Sequence, residues 1–427
     1  MKLSELEKII EDQRVDFESA PRGIARAGDF EHHFQSPVVS VIQGVRRCGK
    51  STLLRQLADR ATQRGFNVCF LTLDDPRLTR FEAKDFEAVY NLWQKSRSFA
   101  EHRSIIFLDE VQEVAGWEKW ANYFAQQKSH KVFVTGSNSR LLSSELGTYM
   151  TGRHLDIYLT PLSLGEIVDA LPNADRTALS SAGRAELERA YENHERYGGF
   201  PRCVLDRSLS YLPVYYADIV QKDIIVRAKT RNKSAVENLA RLMATETSRL
   251  FNHSKIARVL KLKDEATVRK YCRLMVQSYL FYELRCFSRS ARDQTRSHPK
   301  YYSIDHAMAK ANGFWKVDDP TRVLELIVCA ELIRRGESLF YWRSEKNYEV
   351  DFLVTKGTTP RSAIQVSYSI DDPLTEEREV RALVAAHVEL GVQDLVLVTR
   401  HESRVLRQHG VTIRLVPIVD FLLSTPI

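Results

Sequence analysis

Gly44-Val45-Arg46-Arg47-Cys48-Gly49-Lys50-Ser51-Thr52 is the stretch on which the reading of this chain turns. It fits the pattern G-x-x-x-x-G-K-[ST] and follows an apolar run of strand length, Val38-Val39-Ser40-Val41-Ile42. Behind it a helical pattern runs from about Lys50 to Arg64 and stops at Gly65. Gly44 and Gly49 permit a tight turn in which successive N–H groups face inward, and the helix start adds its positive end. Such a turn cradles phosphates. Lys50 would reach the β- and γ-phosphates of a nucleotide, and the Ser51 hydroxyl would ligate Mg2+.

Further along the chain, Ile105-Ile106-Phe107-Leu108-Asp109-Glu110 is a hydrophobic strand ending in two acids. Asp109 would hold the metal through water, and Glu110 would orient or deprotonate the attacking water. Val132–Thr135 is another strand, and it leads into Gly136-Ser137-Asn138-Ser139-Arg140, where Ser137 or Asn138 would face the γ-phosphate. Val68–Leu73 adds a further strand, and helical patterns separate all of them. Strands alternating with helices imply an α/β fold, a parallel sheet covered on both faces.

The chain has 427 residues, too many for one core. Its 62 basic and 55 acidic residues leave a net charge of +7, which permits an anionic partner without demanding one. No signal peptide or membrane-length apolar window is visible, and the six scattered cysteines suggest reduced thiols, so a cytoplasmic location is expected. The expected organisation is an N-terminal helical segment over 1–36, a P-loop core over 37–165 and a helical lid over 166–235. A helix-turn-helix region over 236–305 and a mixed α/β domain over 306–427 follow.

The succession of Gly44–Thr52, Asp109-Glu110, Thr135-Gly136-Ser137, Gly152-Arg153 and the run from Leu159 to Glu166 resembles a widespread group of prokaryotic AAA-type ATPases. Those proteins join an N-terminal ATPase to a C-terminal domain of poorly assigned function, and Tyr197-Gly198-Gly199-Phe200-Pro201 also matches them. The resemblance implies ATP hydrolysis with Mg2+ and a homo-oligomer. It makes Arg153 a candidate arginine finger, acting on a neighbouring subunit's ATP or on its own.

Residues 254–277 read as helix, turn, helix, with Ser254 as a cap, and segments near 279–287 and 301–304 read as a hairpin. That is a winged-helix arrangement. Its second helix offers Arg269, Lys270 and Arg273, and its loop offers Arg289, Arg292 and Arg296, a basic surface suited to a DNA backbone.

In the last quarter, a helix with Glu325 and Glu331, a strand with Asp351 and a strand with Gln365-Val366-Ser367 resemble the core of restriction-endonuclease-like nucleases. Glu331 (or Glu325) and Asp351 match the family's first two metal-binding positions. Gln365-x-Ser367 stands where E-x-K belongs, and Arg378, Lys346 and Lys356 are the only nearby substitutes for the lysine. A degenerate domain that binds without cutting is therefore expected. The reading as a whole is an ATPase acting on or near DNA, with a nucleotide-dependent switch for protein partners or an ATP-regulated nuclease as alternatives.

Overall fold

In a computed structural model, the apolar runs around the phosphate-loop motif become strands of one parallel sheet. The structure describes residues 1–95, 103–128, 130–136, 153–172, 175–177, 180–315, 319–408 and 410–424. The chain divides into two compact units, Met1–Leu159 and Thr160–Ile427.

In the first unit the strands are β1 (Val39–Gly44), β2 (Asn67–Thr72), β3 (Ser104–Asp109), β4 (Lys131–Thr135) and β5 (His154–Leu159). Their order is β2-β3-β4-β1-β5, and every pairing is parallel. β1, β3 and β4 are buried along their whole length, hence the continuous apolar runs. β5 escaped the sequence reading because it is an edge strand with Asp156 and Tyr158 exposed.

The helix Leu3–Ser19 buries Leu6, Ile9, Gln13 and Phe17, one face at helical spacing. Leu6 and Ile9 join the core beside Val39, Val41 and Leu71. Gln13 fastens the helix to β2, donating to Thr72 O and accepting from Thr72 N–H, both at 3.0 Å.

The second unit opens with helices through Lys233–Thr245. The helices His253–Val259 and Glu265–Gln277 then precede a hairpin of β6 (Phe281–Leu284) and β7 (Lys300–Ser303), and the loop between these strands contains a short helix, Ala291–Arg296. The cap of the first helix is Asn252 and not Ser254. Asn252 is the last residue in extended conformation, and its side chain accepts the Lys255 N–H at 2.9 Å. Ser254 lies inside the helix and donates to Glu265.

After the helix Pro320–Arg334 come β8 (Ser338–Arg343), β9 (Glu349–Lys356) and β10 (Thr359–Val366), an antiparallel meander. The helix Pro373–Leu390 returns the chain to β11 (Asp394–Thr399), parallel to β10. β12 (Arg404–Gln408) and β13 (Val411–Pro417) complete a sheet of order β12-β13-β11-β10-β9-β8. One core cluster unites Leu164 and Tyr191 from the early helices, Tyr302 from the hairpin, and Leu324, Phe352 and Val396 from the last segment.

Candidate functional site

β1 ends at Gly44, where a β-carbon would meet Leu159 O at 2.1 Å, so no larger residue fits beside β5. Gly49 caps the following helix, Lys50–Gln63, with a positive φ of 102°, and Arg47 also has a positive φ, 71°. The Cys48 thiol is buried and donates to Leu159 O at 3.5 Å, while buried Arg26 donates to Cys48 O at 3.1 Å. The loop is thus held from both sides, with Arg46 half-buried and Arg47 exposed. The Lys50 ammonium donates to Gly44 O at 3.0 Å and Val45 O at 3.1 Å, which keeps it at the first turn of the loop.

Because β4 lies between β1 and β3, its C-terminal Thr135 reaches the acids of β3. The Thr135 hydroxyl donates to Asp109 Oδ1 and accepts the Glu110 N–H at 3.1 Å. Ser51 also hydrogen-bonds the Asp109 carboxyl, joining the phosphate loop to the acid strand. Glu110 takes a left-handed backbone, φ 53°, which costs a non-glycine residue about 1–3 kcal/mol and is tolerated here because Thr135 holds its N–H. Gln112 donates to the Glu110 carboxylate. Arg26 and Gln112 were missed in these roles because no short motif contains them, and Thr135 was read only as part of Thr135-Gly136-Ser137. Thr135 alone left a signal, as the last residue of an apolar strand.

Burial pushes the Asp109 carboxyl up to about 6, with the Glu110 charge adding to it and the Thr135 and Ser51 hydroxyls opposing it. A hard divalent cation held by this carboxylate would compete with the proton. Metal affinity is therefore expected to be level above about pH 6 and to fall about tenfold per pH unit below it. A Mn2+ titration across that range checks this, and Asp109→Asn should abolish the dependence. A level profile well below pH 6 would assign the metal to other ligands.

Asn138 and Ser137 lie outside the described residues. Arg153 is exposed and directly precedes β5. β1 and β5 run parallel, with Val39 opposite His154 and Gly44 opposite Leu159. Arg153 therefore sits at the end of the sheet opposite the phosphate loop, roughly 20 Å away at ~3.3 Å per strand residue.

In the second unit Arg269 is ion-paired with Glu265 at 2.5 Å, and Lys270 donates to Ala228 O at 3.3 Å. Arg273, Arg289, Arg292 and Arg296 are exposed.

The expected acidic set is also rearranged. Glu331 is buried away from Asp351, in ion pairs with Arg334 at 2.5 Å and Arg335 at 2.7 Å. Glu325 takes its place, sharing Lys300 with Asp351 at 3.8 and 3.9 Å. Of the expected cations, Arg378 pairs with Glu379 at 2.5 Å; the ammonium that meets Asp351 belongs to Lys300, on β7. Gln365 accepts the Asp351 N–H at 3.2 Å and donates to buried Glu379 at 2.7 Å. Burial and the facing Glu325 charge raise the Asp351 carboxyl, and burial likewise raises Glu325. Among the described residues, no group of three or more His, Cys, Asp or Glu is arranged to hold a metal.

Residues 36–168 match a family model described as an AAA domain. Residues 188–316 and 321–421 match two models described as domains of unknown function. An uncharacterized protein from Haemophilus influenzae is 31% identical over 331 residues, covering 74% of this chain and 80% of the relative. An uncharacterized protein from Methanocaldococcus jannaschii is 29% identical, covering 84% and 81%. Among solved structures, the Aeropyrum pernix ORC1 protein in complex with DNA is 12% identical, covering 78% of this chain and 93% of that one, with a TM-score of 0.27. No described helix is long and apolar enough to cross a membrane.

Proposed function

Because the chain belongs to the same family as its Haemophilus influenzae relative and carries an AAA domain, we propose that it is an ATPase acting on or near DNA. The observation that carries the ATPase reading is the linked set of Lys50, Ser51, Asp109, Thr135 and Glu110 around the end of β1 and β3. Ser51 and Asp109 present hard oxygen donors side by side, which fits Mg2+. The ion when bound there would neutralise phosphate charge. Lys50 and the backbone of 44–49 hold the phosphates. Glu110, aimed by Gln112 and Thr135, takes up or orients the water's proton. Arg153, remote from its own loop, serves the ATP of a second copy, which makes the active form an oligomer.

DNA contact rests on the helix pair 253–277, the hairpin β6–β7 and the exposed arginines, a winged-helix reading. Since Arg269 and Lys270 have partners within the chain, the weight falls on Arg273, Arg289, Arg292 and Arg296. Replacing Arg289, Arg292 and Arg296 with Ala is expected to weaken duplex binding and flatten its salt dependence by about 0.9 log units per lost phosphate contact. Fluorescence anisotropy at several salt concentrations measures both. Unchanged affinity and slope would assign this region to packing between proteins.

The helix Pro320–Arg334, the β8–β9–β10 meander, the helix Pro373–Leu390 and β11 support a restriction-endonuclease-like reading of the last segment. We read it as a binding domain without cleavage, since Gln365 is engaged between Asp351 and Glu379.

A further inference from the structure

We propose that Lys300 is a built-in cation: its ammonium holds the place among Glu325, Glu349 and Asp351 that a divalent metal ion would otherwise take. Three carboxylates converge on this one side chain, Glu349 at 2.7 Å, Glu325 at 3.8 Å and Asp351 at 3.9 Å. Lys300 has a side-chain exposure of 4%, against 12% for Glu325 and 14% for Asp351, so water does little to screen the acids from one another. Around Lys300, the Tyr302 hydroxyl donates to Glu325 at 2.6 Å, the Val366 N–H donates to Asp351 at 3.1 Å, and Arg343 pairs with Glu349 at 2.7 Å.

Burial acts against the ammonium, and the three carboxylates outweigh it, raising Lys300 above the ordinary lysine range. An ammonium attached to β7 cannot diffuse away, whereas a metal ion can. Lys300 thus also fastens the hairpin β6–β7 to the sheet strand that carries Glu349 and Asp351, and the chain needs no metal for that junction. A divalent ion meets a pocket in which an ammonium already stands among the three acids. This inference rests on contacts within the second unit and is independent of the nucleotide site.

The test uses the full chain without nucleotide and carrying Asp109→Asn, which removes the carboxylate proposed to hold Mg2+ in the first unit, with bound Mn2+ counted by electron paramagnetic resonance and compared between variants that all carry this change. With Lys300 present, no binding at the cluster is expected. Lys300→Met keeps an unbranched side chain but removes the charge, and should add about one Mn2+ per chain at millimolar metal. Adding Asp351→Asn to that variant should remove the gain, and Lys300→Arg should leave the pocket closed. Folding of Lys300→Met only when Mn2+ is supplied would also support the proposal. Three results would overturn it: Mn2+ at the cluster with Lys300 in place, a folded Lys300→Met with no gain, or a Lys300→Met that stays unfolded with and without Mn2+.

Discussion

Glu110→Gln is expected to bind ATP with near-normal affinity and to hydrolyse it at least about a hundredfold more slowly than the unaltered chain. Glutamine keeps the size of the side chain and leaves the backbone N–H of residue 110 on Thr135. Its amide can still meet Gln112, so the left-handed turn at the end of β3 is retained. What disappears is the carboxylate proposed to accept a proton from water. Lys50→Ala should fail earlier, at binding. The ammonium held at 3.0 Å from Gly44 O stands at the helix start, and its loss should weaken nucleotide binding by about tenfold or more. Nucleotide titration by calorimetry and a phosphate-release assay separate the two effects. Wild-type turnover in Glu110→Gln would remove Glu110 from the chemistry.

The second large effect concerns Arg153. Arg153→Ala should lower turnover by about a thousandfold or more if the side chain completes a neighbour's site, with nucleotide affinity little changed. The geometry makes a sharper demand. Since Arg153 stands at the far end of the sheet from its own loop, activity should return when Arg153→Ala and Lys50→Ala chains are mixed. An intact cradle on one chain then meets an intact arginine on the next. Random pairing at equal concentrations makes roughly a quarter of such junctions productive. Phosphate release measured against the mixing ratio should therefore rise to a maximum near equal amounts. A mixture that co-assembles and stays as inactive as its parents would exclude this role for Arg153.

The phosphate loop was legible in the sequence because its parts are contiguous. A strand, a glycine turn and a helix start are local features, and Gly44 through Thr52 carry all of them in one stretch. Asp109-Glu110 was legible for a similar reason, since a buried parallel strand writes an uninterrupted apolar run and the acids mark its end. The basic helix and loop could be read as residues but not as surfaces. Only the fold shows that Arg269 and Lys270 are engaged while Arg273, Arg289, Arg292 and Arg296 are exposed.

The acidic cluster shows where sequence reading stops. Glu325 and Glu331 share one helix and lie about 120° apart around its axis at ~100° per residue. Amphipathicity could not choose between them, because that helix is buried on several sides, from Arg322 and Leu324 to Glu331 and Leu332. Packing decided: Glu325 turns toward β7 and β9, and Glu331 toward Arg334 and Arg335. Lys300 was invisible as a partner of Asp351, since they stand on strands of different sheets with no shared motif. The sequence by itself determined the nucleotide loop, its acids and the parallel sheet, because those follow from local backbone geometry and strand burial. Which glutamate meets Asp351, which ammonium neutralises the pair and which end of the sheet carries Arg153 were decided by tertiary structure alone, because each depends on distances between segments far apart in the chain.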